Sequence, residues 1–130
     1  MRRTLATRAV IGLTFAGLAL AACDNGPKAP TETGICYHIG TQPDGTQKLN
    51  VVKRNVQSIE FCAAELEGMR VRFLRMGGQN RDLIGAYQGS YLVLRPAGVF
   101  RMERWNGAQY LMLVRTGDGR LAQPGAVPGY

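Results

Sequence analysis

Val56-Gln57-Ser58-Ile59-Glu60-Phe61-Cys62-Ala63-Ala64-Glu65-Leu66-Glu67-Gly68-Met69-Arg70-Val71-Arg72-Phe73-Leu74-Arg75-Met76 is the stretch on which the fold turns. Ile59, Cys62, Ala63, Leu66, Met69 and Phe73 recur at intervals of three and four, and Met76 continues the series. That spacing puts them on one stripe of an α-helix. Charge agrees: Glu60, Glu65 and Glu67 come early while Arg70, Arg72 and Arg75 come late, the order the helix dipole favours. Gly77-Gly78 then supplies a stop. Two features pull the other way. Gly68 costs about 1 kcal/mol inside a helix, and Met69-Arg70-Val71-Arg72-Phe73 alternates as a strand does. Whether residues 69–76 continue the helix or form a strand therefore stays open at this level. The preferred reading is one helix over Val56–Met76, with the three glutamates on a solvated face and Cys62 turned toward the core.

Working outward, Ile35–Ile39 and Leu49–Lys53 have strand-forming residues and enclose the turn signal Thr41-Gln42-Pro43-Asp44-Gly45. Beyond the helix the chain reads as a β meander. Leu83–Tyr87 and Tyr91–Leu94 flank Gln88-Gly89, and Arg95-Pro96-Ala97-Gly98 suits a type I turn. Val99–Trp105 and Gln109–Arg115 flank Asn106-Gly107, a hairpin signal. Thr116-Gly117-Asp118-Gly119 is a further turn. The expected fold class is α+β: one helix packed on a small, mostly antiparallel sheet, with one disulfide. The expected boundaries are a single domain over 35–122 and a loose tail over 123–130.

The chain has 130 residues, enough for one core. A hydrophobic share of 45 % and a charged share of 19 % exclude a disordered charged tail and a coiled coil. The N-terminus carries its own message. Arg2, Arg3 and Arg8 precede a 14-residue apolar run over Ala9–Ala22, broken only by Thr14. A membrane-spanning helix needs about 20 apolar residues, so the run suits the core of a secretory signal better than a permanent span. Arg2-Arg3-Thr4-Leu5 matches a twin-arginine export signal poorly and reads as an ordinary basic flank.

Leu20-Ala21-Ala22-Cys23 resembles the lipobox of bacterial lipoproteins, a branched apolar residue and two small ones before a cysteine. The resemblance covers residues 1–23 alone. It implies a signal peptide over 1–22, diacylglycerol on the Cys23 thiol, and acylation (palmitate included) of the new amino terminus. Two or three acyl chains anchor firmly where one binds marginally. Asp24 is similar to the inner-membrane retention signal of enteric lipoproteins, which slightly favours the inner over the outer membrane. Residues 23–34, polar and rich in Pro and Gly, read as a flexible tether. Losing Arg2, Arg3 and Arg8 leaves 13 bases against 9 acids, a net charge of +4 that does not indicate a nucleic-acid binder.

Setting Cys23 aside leaves Cys36 and Cys62, an even pair in an oxidising compartment, and so an expected disulfide. Closing that loop would stabilise the fold by roughly 3.5 kcal/mol on loop-entropy grounds. A zinc site is the weaker alternative, because Cys36, His38 and Cys62 would still lack a fourth ligand. No catalytic motif accompanies His38, the one histidine, and Gly77-Gly78 is not part of a phosphate loop. Two contact surfaces suggest themselves: Tyr87 and Tyr91 among small residues, and the arginines Arg70, Arg72 and Arg75. The expectation is a non-enzymatic, periplasm-facing lipoprotein docking on a protein partner of the cell envelope, with no metal and no cofactor. The alternative is a binding module for an anionic envelope polymer, a lipid headgroup or a small ligand.

Overall fold

Ser58 starts the helix. Its backbone is extended and its hydroxyl accepts from the Phe61 N–H at 3.3 Å, satisfying a donor that the first turn leaves free. In the computed structural model, which describes residues 26–127, helix α1 then runs over Ile59–Arg75 without a break at Gly68. Residues 69–75 are thus helical, and the strand-like alternation there is a by-product of arginines spaced along one turn. The start falls three residues later than the expected Val56, which is buried in the preceding loop. The far end closes as a Schellman motif: Gly77 adopts φ +88°, its N–H donates to Leu74 O at 3.1 Å, and Gly78 N–H donates to Phe73 O at 3.0 Å.

Among the described residues seven strands form one sheet of antiparallel neighbours: β1 (Cys36–Thr41), β2 (Gln47–Lys53), β3 (Leu83–Tyr87), β4 (Ser90–Arg95), β5 (Gly98–Met102), β6 (Gln109–Arg115) and β7 (Leu121–Ala122). The order is β2-β1-β3-β4-β5-β6-β7, so the chain is a meander interrupted once, where α1 crosses between β2 and β3. The α+β class is therefore observed as expected. Tight hairpins lie elsewhere than the Asn-Gly signal suggested, at Gln88-Gly89 and at Pro96-Ala97. Gln88 and Gly89 both have positive φ, 43° and 83°, and join Tyr87 directly to Ser90 as a two-residue primed turn. Around Asn106-Gly107 the strands stop at Met102 and resume at Gln109, and a longer loop intervenes.

The sheet buries both faces. On one, Leu66, Cys62 and Ala63 of α1 meet Cys36, Leu83, Leu92, Leu94, Val99 and Leu113. Gly85 permits this approach: a Cβ there would come within 2.7 Å of Tyr37 O and overlap a Leu66 methyl. The Cys36–Cys62 disulfide fastens α1 to β1 across a Cα separation of 5.3 Å, and both cysteines are fully buried. On the opposite face Tyr37, Ile39, Ala86, Tyr91, Val93 and Met102 form a second core. The Tyr91 ring meets Trp105 edge-on at 5.3 Å.

The second core corrects the expected tether. Ala29 is buried in it, Pro30 O accepts from Gly89 N–H at 2.8 Å, and Gly34 N–H donates to Gln88 Oε1 at 2.8 Å. Glu32 accepts from the Tyr37 hydroxyl, raising the Tyr37 pKa. Residues 29–34 are thus part of the fold, because an apolar sheet face without a second layer needs a cover. Within the segment expected to be a loose tail, Pro124–Ala126 forms a short 3-10 helix.

Candidate functional site

The expected stripe on α1 is rotated. Cys62, Ala63, Leu66, Glu67 and Arg70 are the buried residues, whereas Phe73 and Met76 are exposed. Phe73 packs its ring over the backbone of Gly78 rather than onto the sheet. Glu67 and Arg70, expected on solvated faces, instead form the centre of a charged cluster. Arg70 Nε and Nη2 donate to Glu67 Oε2 and Oε1 at 2.9 and 3.1 Å. From β6, Arg115 Nε and Nη2 donate to Oε1 and Oε2 at 2.7 and 2.9 Å. The carboxylate is gripped by two planar forks at once, the arrangement in which guanidinium binds most strongly.

Each guanidinium also ties down a loop. Arg70 Nη1 donates to Arg81 O at 3.1 Å, and Arg115 Nη1 donates to the carbonyls of Arg95 and Pro96. Burial on its own would push the Glu67 carboxyl up. The Arg115 and Arg70 hydrogen bonds and charges overcome it and hold the group down at about 2. One anion with two cations leaves the cluster a net positive charge beneath the surface.

Above the cluster a groove of about 650 Å³ opens between α1 and the β6–β7 hairpin. Glu67, Gly68 and Leu113 line its depth, while Phe61, Val71 and Leu121 give apolar walls. Phe61 is 62 % exposed, a large apolar residue without a cover. Arg72, Arg75 and Arg120 stand on the rim, and all three are exposed. Among the described residues neither Arg72 nor Arg75 makes an ion pair, and Arg120 reaches only its neighbour Asp118, at 3.9 Å. Glu60, at the helix start, is the acid in the lining besides Glu67.

The structure separates the sequence-derived surface residues. Tyr87 and Tyr91 are buried, so the tyrosine surface does not exist: the Tyr87 hydroxyl donates to Val56 O at 2.7 Å, and Tyr91 lies in the second core. Burial pushes the Tyr91 phenol up. Arg70 is internal, so of the three arginines only Arg72 and Arg75 lie on a surface. Cys23 lies outside the described residues. Phe61, Arg120 and Leu121 were not singled out from the sequence. Phe61 carried a signal, being a large apolar residue off the helical stripe, but Arg120 and Leu121 reach the groove only through the turn after β6.

His38 sits at a second groove of about 500 Å³ beside Arg70, Phe73 and Asp82. Its Nδ1 lies 3.4 Å from Asn50 Nδ2, and burial lowers its pKa. Among the described residues, no three His, Cys, Asp or Glu side chains converge in a way that could hold a metal ion. No helix among them is long and apolar enough to cross a membrane. No family model matches the chain, and neither a curated protein nor a solved structure is significantly similar to it.

Proposed function

We propose that this chain is a lipid-anchored, non-enzymatic lipoprotein of the cell envelope, facing the periplasm, whose folded domain docks on a protein partner through the groove between α1 and the β6–β7 hairpin. The observation that carries the reading is the groove itself: an uncovered Phe61 with apolar walls beside it, and Arg72 and Arg75 standing over it without ion partners among the described residues. An exposed aromatic in a concavity rimmed by arginine is the composition that concentrates binding energy at protein interfaces. Glu67 is held ionised between two guanidiniums, and His38 Nδ1 lies 3.4 Å from the Asn50 amide. The lipobox over Leu20–Cys23 supplies the anchor, and Asp24 favours the inner membrane.

The test is a photo-crosslinking residue at Phe61 in the lipidated chain in living cells, with the same residue at Leu49 as control. Leu49 is likewise exposed, but on edge strand β2 far from the groove. A discrete protein adduct from Phe61 and none from Leu49 supports docking through the groove. Equal adducts from both positions, or none from Phe61, contradicts it.

A further inference from the structure

The groove's electrostatics go further than its shape, and they narrow the partner. Three exposed guanidiniums crown it, Arg72 and Arg75 one helical turn apart on α1 and Arg120 opposite on the β6–β7 turn. The buried Glu67–Arg70–Arg115 cluster adds a further net positive charge under the floor, where a low dielectric screens it poorly. Rim and floor therefore have the same sign, and Glu60 and Asp118 offset only part of it. Between the charges, Phe61, Val71 and Leu121 leave an apolar slot.

Resting on the docking reading, we infer that the occupant of this groove is an acidic peptide segment of the partner, which places an apolar side chain against Phe61, Val71 and Leu121 and sets its carboxylates against Arg72, Arg75 and Arg120. Charge complementarity selects acid over base, since a basic segment would meet the guanidiniums of Arg72 and Arg75 on one wall and of Arg120 on the other. Concavity selects a peptide over a bilayer. A membrane surface is flat on this scale and would leave the groove's depth unfilled, while Glu60 at its mouth would face anionic headgroups. Guanidinium suits carboxylate geometrically as well, donating to both oxygens in one plane.

The experiment uses the full chain, lipidated and isolated from membranes in detergent, and a fluorescein-labelled peptide of alternating aspartate and leucine as the probe. Binding should be salt-sensitive, fall about tenfold in Arg72→Glu/Arg75→Glu, and pass in that variant to a lysine–leucine peptide. The reversed side chains are exposed and lose only their attraction to the helix C-terminus, so the thermal midpoint should fall only modestly, and the swap of preference shows that a lost signal is not unfolding. Failure of the aspartate–leucine peptide to bind, or binding indifferent to the reversal, overturns the acidic occupant. If a protein adduct from a photo-crosslinker at Phe61 then persists in the double variant, docking through the groove stands while its acidic occupant falls. If instead the full chain binds anionic vesicles through Arg72 and Arg75 and Phe61 captures no protein, both fall.

Discussion

Arg115 on β6 and Glu67 on α1 are 48 positions apart in sequence and share a two-pronged ion pair, with Arg115 Nε 2.7 Å from Glu67 Oε1. Together with Arg70 this pair ties the helix to the last long strand beneath the groove. A buried ion pair is weak evidence of net stability, since desolvation offsets much of the attraction. Its loss on one side is a different matter, because it strands a charge.

Stability should therefore follow Glu67 protonation. Its pKa falls from an ordinary 4.5 to about 2 on folding, so the unfolded chain binds the proton more tightly. The stabilisation is fully present above about pH 4.5 and is lost as pH falls toward 2, by about 3 kcal/mol in total. Denaturant midpoints measured from pH 7 to pH 2 check this. Glu67→Gln should lower the melting temperature at pH 7 by roughly 15 °C or more, through about 3–5 kcal/mol of uncompensated charge. The same variant should flatten the acid limb.

Two glycines should respond oppositely to alanine. Gly68 lies inside α1, where an added Cβ would meet only Arg72 Nη1 at 3.5 Å, an ordinary contact. Gly68→Ala should stabilise by up to about 1 kcal/mol. At Gly85 the same methyl would come within 2.7 Å of Tyr37 O, so Gly85→Ala should destabilise by about 1–3 kcal/mol. Thermal melts of the two variants side by side decide it.

The disulfide should be inaccessible and strongly stabilising, since Cys36 and Cys62 are both fully buried. Unreduced native protein should show no thiol titre from these two residues until denatured and reduced. Cys36→Ala with Cys62→Ala should lose about 2–5 kcal/mol.

For the anchor, the Leu20-Ala21-Ala22-Cys23 sequence predicts that Cys23→Ala abolishes uptake of labelled palmitate and retention in the membrane fraction. Fractionation after metabolic labelling measures both.

What could be read from the sequence was what depends on neighbours. The helix, its glycine stop, the meander and the cysteine pair rest on spacing, turn chemistry or parity, and each is in the structure. Register-level detail was not legible. The stripe Ile59–Phe73 was drawn through apolar residues alone, so it could not anticipate that two charged residues of α1, Glu67 and Arg70, turn inward. That arrangement needs Arg115, which only the sheet order brings near. Tyr87 and Tyr91 looked like a surface because small residues surround them in sequence, yet small residues are also what a two-sided core admits. Polar residues 29–34 looked like a tether because their backbone contacts lie with the Gln88-Gly89 turn, far along the chain.

The claim that the α1–β7 groove is the working face is tested most directly by amide hydrogen exchange on the lipidated chain, compared in native membranes and after isolation in detergent. Docking through the groove predicts slower exchange in membranes over residues 59–75 and 117–122, with the β2 edge at 47–53 unchanged. Protection of the β2 edge instead, or no difference anywhere along the folded domain, would contradict the account.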